Sequence, residues 1–326
     1  MLRYIIKRLL WMIPVILGVL CIVFILSEIT PGDPVDQVVG YDAPPEVREA
    51  AREAMGLNDP VVIRFFRYVF KVITKGDLGT SYASGKPVLQ ELLARFPNTL
   101  ILTFASVFVA LVIAIPLGVI SAVKQYSVID NASMAFALFG VSIPQFWFAL
   151  MTLLIFSVKL KWFPASGIEK VSGWILPIAM IGIANVGNLA RVTRSSMLEV
   201  IRQDYIRTSR AKGQKETVVI VKHGLRNALI PVVANVGNQI GVSLGGAVIA
   251  ESIFSIPGVG KYMLDAINGR NWPSVQGGIV ILAFAFSVTM LVMDLLYTAI
   301  DPRLKAEFKA KNKIAVKKKK PVQEAA

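Results

Sequence analysis

Apolar runs about twenty positions long recur along this chain, separated by polar stretches rich in charge, Pro and Gly. They fall at roughly 9–29, 99–123, 132–158, 174–190, 228–250 and 278–300. Each approaches the ~20 residues a helix needs to cross the hydrocarbon of a bilayer. The pattern therefore predicts six transmembrane helices. The fourth run is short, contains Asn185 and Asn188, and is followed by Arg191 and Arg194. Between the first two runs lies a mixed-charge segment, 30–97, whose opening Pro31, Gly32, Asp33 and Pro34 stop the preceding helix. Within it a helix is expected over 45–55, with Pro45 in its first turn and Gly56 past its end. A second is expected after Pro60, setting Val61, Val62, Phe65, Phe66, Val69, Phe70 and Ile73 against Arg64, Arg67 and Lys71. That apolar face fits either a bilayer surface or packing on the protein's own spans. A third, short helix is expected from Pro87 to just before Pro97.

Composition turns this pattern into a class. With 55% hydrophobic residues and a mean hydropathy of +0.61, the chain has more apolar surface than a soluble domain can bury. It reads as an all-α polytopic membrane protein. The formal net charge of +14 would suggest nucleic acid in a soluble protein. Here the cations gather in particular loops and the tail, so they report orientation, and no nucleic-acid partner is expected. Alternation puts both termini, 124–131 and 191–227 in the cytoplasm, and 30–97, 159–173 and 251–277 outside. Arg191, Arg194, Arg202, Arg207, Arg210, Lys212, Lys215, Lys222 and Arg226 crowd one inner loop, whereas acids and bases roughly balance in 30–97. Arg3, Lys7 and Arg8 precede the first run, which is longer than a signal peptide's and lacks a small-residue cleavage site, so a retained span is expected. The basic tail, 303–326, with Lys at 317–320, suits anionic lipid.

Candidate chemistry is sparse. One cysteine, Cys21, inside an apolar run, allows neither an intrachain disulfide nor a cysteine metal cluster. His223 is the single histidine and lies in the inner loop, so no metal site and no buried nucleophile–base pair can be assembled. Gly258–Val259–Gly260–Lys261 is no phosphate loop, because Ser255 and Tyr262 stand where Gly and Ser or Thr are needed. Only Asp294 is charged well within a run, fewer sites than an ion-coupled transporter usually needs. The chain is thus expected to be non-catalytic, without cofactor, and energised by a partner.

The inner stretch 205–231 is where such a partner could act. Asp204 is expected to cap a short helix through Tyr205, Ile206 and Ser209, and Gly213 to end it in a left-handed turn. A second helical run with Val218, Val221 and Leu225 continues until Pro231 starts the next span. Two readings fit: a surface that docks in a soluble partner, or a basic loop that only sets topology. Pro116 and Gly118, Pro144, Pro177 and Pro231 are candidate hinges or plain packing kinks. In the fifth span Asn235, Gly237, Asn238, Gln239, Gly241, Ser243, Gly245 and Gly246 form a small, polar tract that should face inward. With Asn185 and Asn188, the residues Asn235, Asn238 and Gln239 either line a translocation path or let helices approach closely.

Arg207, Thr208, Ser209, Arg210, Ala211, Lys212, Gly213 and then His223, Gly224, Leu225, Arg226, Asn227 resemble the cytoplasmic loop of ABC importer permeases, in the form found in dipeptide and oligopeptide permeases. The wider family opens this loop with Glu-Ala-Ala; Arg207, Thr208 and Ser209 replace it, and Gly213 keeps the spacing. The runs PGDPV, GLNDP and GDLGTS, and Glu251 to Lys261, extend the resemblance over most of the chain, whereas Asn271 and Trp272 depart from an Arg-Asp-Tyr-Pro-like sequence. The resemblance implies a type I importer (MetI-like) fold and a B-type subunit: a first helix to 29, an external segment 30–97, and a core 98–302 carrying an ATPase-coupling loop, 191–227. Tyr205, Arg207, Ala211, Lys212, Gly213 and His223 would form that coupling surface. It also implies a second permease subunit, two cytoplasmic ATPase subunits using ATP and Mg, an extracytoplasmic solute-binding protein, and a di- or oligopeptide cargo. Similar permeases import nickel chelates, glutathione and sugars. The competing classes are a receptor or scaffold without transport, told apart by neighbouring genes, and a secondary transporter, whose uptake would survive ATP depletion.

Overall fold

The structure, a computed structural model, describes residues 2–40 and 42–300. The basic tail, 303–326, lies outside the described residues. α1 (Leu2–Ile29) leads into α2 (Asp36–Val39), α3 (Pro45–Ala54) and α4 (Val61–Lys75). The core follows as α5 (Val88–Val123), α6 (Val128–Ser142), α7 (Gln145–Thr152), α8 (Ser172–Ile201), α9 (Asp204–Ala211), α10 (Glu216–Val218), α11 (Arg226–Ile253), α12 (Val259–Asn268) and α13 (Trp272–Ile300). Leu153–Lys159 and Val219–Leu225 are π-helical. Among the described residues, five helices are long and apolar enough to cross a membrane, and the pair α6 with α7 and its π-helical extension makes a sixth when counted as one bent span.

The elements differ from the expected ones where packing overrides local signals. The short helix expected from Pro87 does not stop before Pro97, which lies inside the 36-residue α5. A mid-helix proline costs ~3 kcal/mol, but the turns before it carry Val88 and Leu92, both buried against Leu78 and Val259. That burial keeps the segment on the same helix. Pro116, Pro177 and Pro231 also sit inside helices, and Pro231 does not start one. Pro144 alone among these candidates breaks its span: Ile143 is extended at φ −92°, ψ 131°, as a residue before proline prefers, and the helix axes turn by 96°.

α8 is the central helix, packed by α5, α6 and α11. Small residues allow this contact. Gly140 on α6 lies against the Ile183 carbonyl, and Gly187 on α8 against Ala137 and Val141, so the two helices meet through reciprocal glycines. One apolar core joins Leu102, Met180, Ile181, Ala247 and Ala250; another joins Ala110, Ala114, Ala137, Leu189 and Val232. α1 packs on α13, and α4 on α1.

Candidate coupling surface and polar interior

α8 runs further than the apolar run from 174 to 190, continuing through Arg191 and Arg194 to Ile201. Arg194 is therefore a helix residue. Its Nε and Nη2 donate to the two carboxylate oxygens of Asp130 at 2.9 and 2.7 Å. Asp130 is buried, and also accepts from Ser121 Oγ and from the Tyr126 amide at 2.9 Å. This fork ties the end of α5, the start of α6 and the lower part of α8 together. Nothing in the sequence pairs residues 64 positions apart.

After α8, Gln203 takes an extended conformation and is the N-cap of α9; no side chain caps that end. The expected capping role of Asp204 is thus not observed. Asp204 already occupies the first helical turn, where its solvent-facing carboxylate complements the helix dipole. Gly213 does end the helix: its φ is +73° and its amide donates to the Arg210 carbonyl at 2.9 Å. No neighbouring atom approaches the position of an added Cβ there, so the requirement for glycine is conformational.

Short polar links pin α9 onto the helix that follows. Ile206 is fully buried. Ser209 Oγ donates to Gln214 Oε1 at 2.7 Å, and His223 Nε2 lies 2.9 Å from the same oxygen. Asn227 Nδ2 donates to Tyr205 Oη at 2.8 Å. Arg210 forks onto Glu216, with a closest approach of 2.7 Å, and this bond holds the guanidinium pKa above its ordinary value. Tyr205, itself exposed, and the half-buried His223 therefore tie the loop to the helix behind it, while Arg207, Ala211 and Lys212 are exposed without such a tie to that helix. From Glu216 the chain is helical without interruption to Ile253, through the π-helical Val219–Leu225. That widened turn was not legible in the sequence, although His223 and Gly224 lie within it.

The polar residues of the interior divide into groups. Asn185 Nδ2 donates to Ser243 Oγ at 2.7 Å, Gln239 Nε2 to Asn185 Oδ1 at 3.3 Å, and Asn188 Nδ2 to Gln239 Oε1 at 3.3 Å. This ladder joins α8 to α11. Asn235 is half-buried, and its Oδ1 has no hydrogen-bond partner among the described residues. Asn238 is exposed, on a stripe with Pro231, Ala234, Val242, Gly245 and Ile249. Asp294 on α13 is met by Arg8 of α1 at 3.0 Å.

At the opposite end of α11, Glu251 is fully buried. It accepts from Thr99 Oγ1 at 2.6 Å and from the Lys261 amide at 2.8 Å, and the Gly260 amide bonds to it as well. Thr99 Oγ1 in turn accepts from the Val259 amide at 2.9 Å. Two side chains thus satisfy the first amides of α12 and fix it to α5 and α11.

The chain is thus helical and multi-pass, with a braced polar loop at one face and a polar seam between α8 and α11. The model of the family described as "Binding-protein-dependent transport system inner membrane component" matches residues 114–306, and a second model, described as "Binding-prot-dependent transport system membrane comp, N-term", matches 1–103. The chain belongs to this family. It is 42% identical over 333 residues to a dipeptide transport system permease protein of Alkalihalophilus pseudofirmus, covering 94% of this chain and all of that one. It is 41% identical to an oligopeptide transport system permease protein of Bacillus subtilis, covering 93% of this chain and 99% of that one. A glutathione transport system permease protein of Salmonella paratyphi A is 40% identical, over 94% and 99% of the two chains. Among solved structures, a chain of the inward-facing MetNI methionine ABC transporter superposes with a TM-score of 0.56 at 21% identity, covering 65% of this chain and 97% of that one, which bears on the fold. The protein is a non-catalytic permease subunit of an ABC importer, in which hydrolysis of ATP belongs to separate subunits.

Proposed function

We propose that this subunit forms half of a pathway for di- or oligopeptides, with a second permease subunit, two cytoplasmic ATPase subunits that use ATP and Mg, and an extracytoplasmic binding protein that delivers the cargo. Peptide cargo is supported by the relatives named for dipeptide, oligopeptide and glutathione transport, since glutathione is itself a short peptide. In this reading both termini are cytoplasmic, and so is the loop centred on Gly213. Asn238 and its exposed stripe on α11 face the path and the second permease, while Asn185, Asn188 and Gln239 hold α8 against α11. Asn235 lies one helical turn before Asn238, and its side-chain carbonyl oxygen is buried without a hydrogen-bond partner among the described residues.

One observation carries the coupling role. α9 is pinned to the transmembrane helix behind it by Tyr205, Ser209, Arg210 and His223, yet presents Arg207, Ala211 and Lys212 outward. A push on that outward side is therefore delivered to α11. Gly213→Val tests this, because a β-branched residue is strained at φ +73° although it meets no neighbour. The purified complex of this variant should insert normally but lose at least about tenfold in binding-protein-stimulated ATP hydrolysis and peptide uptake, roughly the effect of 1.4 kcal/mol on one coupling equilibrium. Full stimulation and full uptake would remove the loop from the mechanism.

A further inference from the structure

α4 carries more apolar surface than the protein covers. At about 100° per residue, its side chains fall into three sectors. Phe65, Tyr68, Val69 and Val72 turn inward, and Phe65 and Tyr68 meet Phe24 of α1 at ring-centroid distances of 5.3 and 5.6 Å. Arg64, Arg67, Lys71 and Lys75 make a basic sector. The third sector is apolar and open: Val62, Ile63, Phe66, Phe70 and Ile73 are 50–69% exposed.

Depth identifies what covers this third sector. Phe24 belongs to the membrane-crossing part of α1, Arg8–Ile29, and sits about 8 Å of helix rise short of its end. Because Phe65 and Tyr68 pack on Phe24, α4 is held at the level where the hydrocarbon gives way to headgroups. Glu28, one residue before the end of α1, meets Arg64 at 3.3 Å, which sets the basic sector toward water. The same end of α1 exposes Ile22, Ile25, Leu26 and Ile29, the lipid-facing surface of a membrane span. We infer that the open sector of α4 is seated in the bilayer, continuing the lipid-facing surface of α1 sideways into the leaflet where α1 ends, with Lys71 reaching headgroup phosphates while Arg67 is held by Asp59 at 2.6 Å. α4 then works as a lateral float that fixes the height of the whole segment 30–97.

Spin labels test the assignment in the full complex, reconstituted in nanodiscs of phosphatidylethanolamine and phosphatidylglycerol. In a Cys21→Ser background, labels on Phe66→Cys, Phe70→Cys and Lys71→Cys are compared for collision with oxygen, which concentrates in lipid, and with a water-soluble nickel chelate. The ratio of oxygen to nickel accessibility should be several-fold higher at 66 and 70 than at 71. Equal ratios at all three positions would place the sector in water and overturn the inference. Low access to both reagents at 66 and 70 would give the sector to another subunit, and would overturn it equally.

Discussion

At the residue scale, Glu251 shows how a buried carboxylate is tolerated beside a membrane. Its oxygens are taken up by Thr99 and by the amides of Gly260 and Lys261, so no acceptor is left bare. Removing the carboxylate strands three donors at once, whereas Gln keeps one acceptor oxygen. Each stranded buried donor costs about 1–3 kcal/mol. Glu251→Ala should therefore lower the apparent thermal midpoint of the detergent-solubilised complex well below that of Glu251→Gln, which should lie between it and the parent. Identical midpoints for all three would mean that α12 is held by packing alone. The contact joins residues 152 positions apart, and the sequence displays only a Glu at the end of an apolar run. Candidate-site residues that act locally were readable: Gly213 follows from the φ that helix termination demands. Those that act across the fold, Glu251 and the Asp130–Arg194 fork, were not.

At the element scale, hydropathy reveals that a helix exists but not where it bends or how far it runs. α5, α8 and α11 all extend beyond their apolar runs because their ends pack on other parts of the chain: Leu92 on Val259, Met197 on Ile220 and Ala228. Proline is equally ambiguous, breaking the chain at Pro144 and riding inside a helix at Pro97, because only tertiary contacts decide whether the lost hydrogen bond is compensated. Close helix contact is better specified. A Cβ added at Gly187 would lie 2.4 Å from Val141 and 2.6 Å from the Ala137 carbonyl, so α6 and α8 would have to separate. Gly187→Val should destabilise the protein by about 1–3 kcal/mol and reduce its amount in the membrane. Gly18→Ala on α1, where no atom lies within 4 Å, is the control and should be indistinguishable from the parent. A Gly187→Val protein as abundant and as heat-resistant as that control would show that the α6–α8 contact does not hold the bundle.

At the scale of the whole molecule, contacts between helix ends sort the bundle into two faces. On one face the start of α1 meets the end of α13 through Arg8 and Asp294, and the end of α5 approaches the end of α8 through Gln125 and Arg202. The α9 loop belongs to this face. On the other face the end of α1 meets α4 through Glu28 and Arg64, and the start of α5 meets the end of α11 through Thr99 and Glu251. For α1 and α13 to begin and end on the same face, the chain must cross an even number of times, so the bent pair α6 and α7 has to count as one crossing. We propose that the first face is cytoplasmic, because Arg202, Arg207, Arg210, Lys212, Lys215, Lys222 and Arg226 follow α8 in one short stretch and such basic clusters favour that side. Ser84 and Lys215 are exposed and lie on opposite faces by this reckoning. In a Cys21→Ser background, Ser84→Cys should react with a membrane-impermeant thiol reagent added to cells whose inner membrane is intact but accessible, and Lys215→Cys only after that membrane is opened. The reverse pattern would invert the protein and put the α9 loop out of reach of any cytoplasmic ATPase. Labelling of both positions before opening would mean that the bent pair does not cross, and that the two faces inferred from the helix ends are one.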